Sequence, residues 1–266
     1  MGPIVLLHDL GFFFLSVERF ITFLPRIMLL IVMAKAAGRS ETIIISLGGS
    51  VLAPNQIDVD FLKQFRQLIL KFVHNGDRFV IICGGGKTAR EYQGAASRVV
   101  HTVPEDLDWL GIHATRLNGH LLRTIFREIA HAKLIKNPNE KINLKESEKV
   151  VVAAGWKPGR STDYIAVLLA KNLGARTVIN ITNTDFVYDR DPSKFPDAKP
   201  LHQVSWKEFR KLIGVSRWSP GLNTPFDPVA AKVAEKMKLR VAVMGKDLGN
   251  LEDFLVGKAF RGTLIG

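Results

Sequence analysis

FVIICGGGKTAR, Phe79 to Arg90, decides the fold: an apolar β-type run ends in three successive glycines and passes directly into polar, helix-compatible sequence. Without side chains, Gly84, Gly85 and Gly86 let backbone N–H groups approach an anion closely, and a helix beginning near Lys87 adds the positive end of its dipole. Arg90 falls one turn along that helix. Glycines alone equally suit a tight strand-to-helix turn that binds nothing; the adjoining Lys87 and Arg90 favour a phosphate cradle. Two better-known glycine loops come close to this pattern. A Walker A loop needs a glycine five residues before the glycine of its Gly-Lys-Thr, and counting back from Gly86 that position is Ile81. The dinucleotide fingerprint G-x-G-x-x-G/A is met by Gly84, Gly86 and Ala89, with Asp106 and Asp108 at about the expected distance, and stands as an alternative.

The same grammar repeats outward. Upstream, ETIIISLGGSVL carries a β-branched run, Ile43 to Ile45, into Gly48, Gly49 and Ser50. Between the two glycine loops, DVDFLKQFRQLILKFVHNG sets Phe61, Leu62, Phe65, Leu68, Ile69 and Phe72 at helical spacing and stops at Asn75-Gly76. Strand, helix, strand with a glycine loop after each strand predicts a parallel βαβ unit, and ligands of open parallel sheets bind at the strands' carboxyl ends. Both loops are therefore expected to face one site.

Downstream, Arg90 to Val100 and Pro104 to Ala130 read as helical, with Asp108, His113, Arg116 and Asn118 mostly at solvated or core-edge positions. The polar NPNEKINLKESEK is a surface excursion, and VVVAAGWKPGRSTD supplies a third strand with a third glycine-bearing loop. Ser161, Thr162 and Asp163 are N-cap candidates for the helix YIAVLLAKNLGA, which Gly174 stops. The second half predicts a strand from Thr177 to Ile181, a polar TNTD turn, a Gly/Pro-rich loop, a helix capped near Asp227 and a last strand from Arg240 to Met244. Asn183 and Asp185 suit a turn, and equally a nucleotide base, ribose or magnesium at a strand end.

Composition narrows the partners. With 37 basic and 25 acidic residues the net charge is +12, which favours anionic ligands; no basic block with interleaved aromatics occurs, so nucleic acid is not preferred. The single cysteine, Cys83, excludes a disulfide framework or cysteine metal site within one chain, suits a reducing cytoplasm, and reads as a small buried hydrophobe. The histidines show no metal-ligand spacing and no Ser-His-Asp order stands out, which argues against zinc enzymes and triad hydrolases. The 266 residues suffice for one large α/β domain or two closely joined halves. Residues 1–38 differ, being apolar and aromatic, but Glu18, Arg19, Pro25 and Arg26 split them into pieces shorter than the roughly 20 residues of a spanning helix. Translation starting at Met33 is the plainer explanation, so the folded domain is expected over 39–266 and no membrane association is expected.

LGGSVL, CGGGKTAREY, WLGIHATRLNGHLL, PGRSTDYIAVLLAKNLGA, ITNTDFVYDRDP and FDPVAAKVAE occur in the order and spacing of the amino-acid-kinase superfamily, and from Thr42 to Gly266 they most resemble its archaeal-type uridylate kinases. The resemblance implies a three-layer αβα sandwich around a mostly parallel sheet, phosphorylation of UMP by Mg-ATP to UDP in pyrimidine biosynthesis, a cytoplasmic homohexamer, and no dedicated protein metal site. Carried over by position, it sets ATP phosphates against Gly49, Ser50, Gly86 and Arg90, and the adenosine side against Thr182, Asn183, Tyr188 and Asp191. UMP is set against Gly85, Asp108 and the loop Trp156, Lys157, Pro158, Gly159, Arg160, Ser161 and Thr162. Lys87 and Arg90 are the expected catalytic cations and Asp163 the carboxylate that organises the site, since phosphoryl transfer rests on alignment and charge neutralisation. The chain departs from the pattern at Ser46, where many superfamily kinases carry lysine, and Lys87 is the candidate replacement. Trp156 and Arg160 fill the acceptor loop, and TNTDF replaces TN-x-DG. Another superfamily kinase, such as isopentenyl phosphate kinase, and a non-catalytic nucleotide- or anion-binding relative are the alternatives; GGGKTAREY argues against the first.

Overall fold

The computed structural model describes residues 41–214 and 224–266; the apolar N-terminal stretch and the expected Met33 start lie outside the described residues. Strand β1 (Thr42–Leu47) leads through the one-turn helix α1 (Gly49–Leu52) into α2 (Val59–His74) and then β2 (Arg78–Cys83). Asp58 caps α2 by accepting the Phe61 amide, and the helix buries the six apolar residues that its spacing singled out. β1 and β2 pair in parallel, Ile44 opposite Val80 and Leu47 opposite Cys83, so the predicted βαβ unit is present.

Helices α3 (Gly86–Val99) and α4 (Pro104–Ile125) follow, then β3 (Val150–Ala153), α5 (Thr162–Asn172) and β4 (Thr177–Ile181). The chain continues through β5 (Val187–Tyr188), β6 (Pro200–Leu201), β7 (Gln203–Val204), α6 (Trp206–Ile213), α7 (Pro228–Lys236) and β8 (Arg240–Met244). α8 (Leu248–Leu255) and β9 (Thr263–Ile265) complete it. The main sheet has seven strands in the order β3-β2-β1-β4-β8-β9-β7, parallel except for β8 against β9, and β5 and β6 form a separate antiparallel pair.

Val151, Val80, Ile44, Val178 and Val241 line up across β3, β2, β1, β4 and β8. They share one core with Ile165, Ala166 and Leu169 of α5, Trp206 and Phe209 of α6, and Ala230 and Ala234 of α7. The alternate side chains of β1 and β2, Ile43, Ile45, Phe79 and Ile81, are buried on the other face, where α2 and α4 pack. Burial on both faces explains why these strands read as unbroken apolar runs.

Two boundaries differ from expectation. The helix expected to run to Ala130 ends at Ile125, because residues 129–135 leave it to bridge alongside β3, Ala130 to Val150 and Ile135 to Ala153. Arg240 to Met244 is also not the last strand: β9 returns against it in antiparallel register. Residues Gly249–Phe260 belong to a second compact unit, in which Phe254 meets Phe260 edge-on at 4.8 Å and Lys258 pairs with Asp253 at 3.4 Å. No helix among the described residues is long and apolar enough to cross a membrane.

Candidate active site

Parallel strands share a direction, so β1, β2, β3 and β4 deliver their following loops to the same edge of the sheet. The first two loops interlock. The Gly84 amide donates to the Leu47 carbonyl at 2.9 Å, and a Cβ at Gly49 would collide with the Gly86 backbone. Gly86 itself has φ +64° and would drive a Cβ into the Gly49 carbonyl. Backbone packs on backbone here, which only glycine permits. Among the described residues the Ser50 and Gly86 amides donate to no carbonyl, leaving them available to an anion.

Helix α4 ties down the other loops through its buried face. Asn118 donates its Nδ2 to the Gly84 carbonyl at 2.8 Å, and Arg116 donates Nε to Gly155 O at 3.1 Å and Nη2 to Trp156 O at 3.0 Å. The Thr115 hydroxyl accepts the Gly155 amide at 2.8 Å. Asp108, 7% exposed, accepts the Gly159 amide on Oδ2 at 2.7 Å, while its buried Oδ1 has no partner among the described residues. Desolvation raises the Asp108 carboxyl, and the Gly159 amide partly opposes that. Asp108 and Asn118 are therefore buried rather than solvated, beside Ile112, Ala114 and Leu122 on the inward face, while Arg116 keeps the half-buried, core-edge position expected of it. His113 is exposed, as expected.

The third loop runs into α5. Ser161 is its N-cap, accepting the Tyr164 amide at 3.1 Å, which makes Thr162 and Asp163 the first helical residues. Asp163 is thereby free for tertiary bonds. Its Oδ1 accepts the Ser46 hydroxyl at 2.9 Å and its Oδ2 accepts the Asp227 amide at 3.1 Å, tying β1 to the start of α7. Burial and then the neighbouring Asp227 carboxylate push the Asp163 carboxyl up to about 6, against the pull of those two donors. Asp227, 4% exposed, caps α7 through the Ala230 amide, and burial raises its carboxyl as well.

These loops line a half-open cavity of about 540 Å³. Ser50, Gly85 and Gly86 line it from the glycine loops, Arg90 and Gln93 from α3, and Asp108 and Thr115 from α4. The third loop contributes Arg160, Ser161, Thr162 and Asp163; Asn183, after β4, and Asp227 complete the wall. The other expected residues sit elsewhere. Gly49 lies directly behind Gly86, and the Lys87 ammonium pairs with Glu91 at 3.6 Å. Trp156 packs partly against the core with the Lys157 ammonium 4.2 Å over its ring, and Pro158 and Gly159 do not line the cavity. The Thr182 hydroxyl accepts the Thr184 amide in its own turn, Tyr188 packs edge-on against Phe186, and Asp191 accepts the amide and hydroxyl of Ser193.

Sequence reasoning missed Gln93 and Thr115 at this site and saw Asp227 only as a cap. One signal was available: Asp108, Gly111, Thr115 and Asn118 recur at helical spacing on the face of α4 that must be buried. The dinucleotide alternative loses its acidic partner, since Asp106 and Asp108 sit in the first turns of α4 rather than after a strand. No group of three or more His, Cys, Asp or Glu side chains among the described residues is arranged to hold a metal ion.

The model of the amino acid kinase family matches residues 41–245. The uridylate kinase of Thermoplasma volcanium is 37% identical over 221 residues, covering 82% of this chain and 95% of that protein. That of Pyrococcus abyssi is 36% identical over 224 residues, covering 84% and 98%. The crystal structure of uridylate kinase from Archaeoglobus fulgidus superposes with a TM-score of 0.70 at 32% identity, covering 84% of this chain and 99% of that one.

Proposed function

The chain belongs to the amino acid kinase family, and we infer that it is a uridylate kinase, transferring the γ-phosphate of ATP to UMP to give UDP and ADP. One observation carries the reading: two interlocked glycine loops open onto the same cavity as Arg90, Arg160 and Asp108, whose buried Oδ1 has no partner among the described residues. Backbone amides and arginines suit phosphates, and a lone buried carboxylate oxygen suits a hydroxyl donor such as a ribose.

In this reading the ATP phosphates lie along Gly49, Ser50, Gly86 and Arg90, with the adenosine towards Thr182, Asn183, Tyr188 and Asp191. UMP lies between Gly85, Asp108 and the loop from Trp156 to Thr162. Asp163 organises the wall between them by holding β1 to α7. Lys87 reaches the transferring group only by leaving Glu91, so the cavity-lining arginines are the better-placed cations. Magnesium enters as Mg-ATP, where it neutralises phosphate charge.

The resemblance to archaeal-type uridylate kinases brings with it a homohexamer. Exposed Tyr92 and Val99 on α3, Val100 and Val103 after it, and Trp109 and Leu117 on α4 support self-association. A cytoplasmic location fits both nucleotide substrates and the one buried, unpaired cysteine. The test is to follow the label of γ-phosphate-labelled Mg-ATP with UMP present. Label in the β-phosphate of UDP is expected; label released only as inorganic phosphate would overturn the assignment.

A further inference from the structure

Among the described residues only two cations, Arg90 and Arg160, line the cavity, and they are held very differently. Arg90 is exposed on α3 and makes no ion pair among the described residues. Arg160 is braced: its guanidinium lies 4.8 Å from the Tyr164 ring and its Nη1 donates to the Gly159 carbonyl at 2.9 Å. A five-donor fork braced at one nitrogen and one face has several N–H groups left over.

We propose that Arg160 is a catalytic residue of this kinase, giving N–H donors to the equatorial oxygens of the transferring phosphoryl group. This rests on the uridylate kinase reading. An oxygen of the acceptor phosphate attacks the γ-phosphorus; the new phosphorus–oxygen bond forms as the bond to the β,γ-bridging oxygen breaks, and the electron pair leaves with ADP. The ionised acceptor oxygen needs no base, and Arg160 transfers no proton: it neutralises charge that spreads over the three equatorial oxygens. The acceptor loop then supplies chemistry as well as binding, and a cation at the Ser46 position is not required.

The experiment compares Arg160→Ala and Arg160→Lys with the wild type. Arg160→Ala should lower kcat about 10² or more while KM for ATP stays within about threefold, and added guanidinium ion should recover at least about tenfold. Lysine should rescue poorly, because a point charge lacks the planar fork. Unchanged kcat with a raised KM for UMP alone would overturn the proposal. A turnover-free readout separates it from the function itself: Arg160→Ala should weaken calorimetric binding of ADP with aluminium fluoride, a mimic of the planar phosphoryl group, at least about 30-fold more than binding of ADP. Equal weakening refutes Arg160's role; a wild-type protein that shows the difference yet never phosphorylates UMP refutes the uridylate reading and leaves Arg160 in place.

Discussion

Replacing Asp163 with asparagine should make the protein more stable and less active, with a stability gain that depends on pH. The carboxyl is held at about 6 in the folded state against an ordinary value of 3.8, chiefly because burial and the Asp227 carboxylate disfavour its charge. A carboxyl raised by folding lends stability that is fully present below its unfolded value and is lost as pH rises through its folded value. About two pKa units at about 1.4 kcal/mol each means that roughly 3 kcal/mol is lost between pH 3 and pH 8. Asparagine is nearly isosteric; its oxygen keeps the Asp227 amide and its Nδ2 meets a Ser46 hydroxyl that can rotate to accept. Weaker bonds from the neutral group cost about 1–2 kcal/mol. The net gain at pH 8 is therefore about 1–2 kcal/mol, or several degrees in Tm at roughly 2–4 °C per kcal/mol for a domain of this size. At pH 4 the gain should vanish and become a small loss. Scanning calorimetry of wild type and Asp163→Asn at pH 4, 6 and 8 measures this directly. A difference in Tm that does not change with pH would refute the account of Asp163 as a strained carboxylate retained for function. The same ionisation predicts an acid limb near pH 6 in the wild-type rate, and at least a tenfold lower kcat for the variant.

Gly86→Ala should cost about 2–4 kcal/mol in a denaturant titration and abolish turnover, because its Cβ meets the Gly49 carbonyl at a left-handed φ of +64°; a soluble, active variant would show that the two loops do not interlock. Asn118→Ala frees the Gly84 and Gly85 carbonyls and should cost about 1–2 kcal/mol and at least tenfold in kcat/KM for ATP, with an unchanged kcat/KM counting against α4 as the loop's support. Arg90→Ala should lower kcat about 10² or more, and a near-normal rate would place Arg90 outside the reaction.

What could be read in advance follows from what local pattern records. The apolar runs ending in Gly48-Gly49 and Gly84–Gly86 are strands whose both faces are covered, and period and glycine punctuation together specify a βαβ unit. The face of α2 was equally legible, because six apolar residues at helical spacing admit one buried side. Helix α4 was not, because its buried face holds Asp108, Thr115 and Asn118, and a hydrophobic pattern sends polar residues outward. Their burial is stabilised by backbone partners from Gly84, Gly155 and Gly159 that are distant in sequence. Lys87, expected as the replacement for the cation absent at Ser46, pairs its ammonium with Glu91 four residues on at 3.6 Å, a contact that the glycine pattern does not reveal. Strands of two or three residues such as β7 and β9 exist through pairing alone and leave no periodic trace.

The most direct measurement is ADP release from Mg-ATP with UMP, CMP, dUMP, AMP and isopentenyl phosphate offered in turn, comparing kcat/KM. The account predicts a strong preference for UMP, with the Asp108 oxygen answering a ribose hydroxyl. Turnover with isopentenyl phosphate in preference to UMP, or ATP binding without turnover on any acceptor, would contradict it.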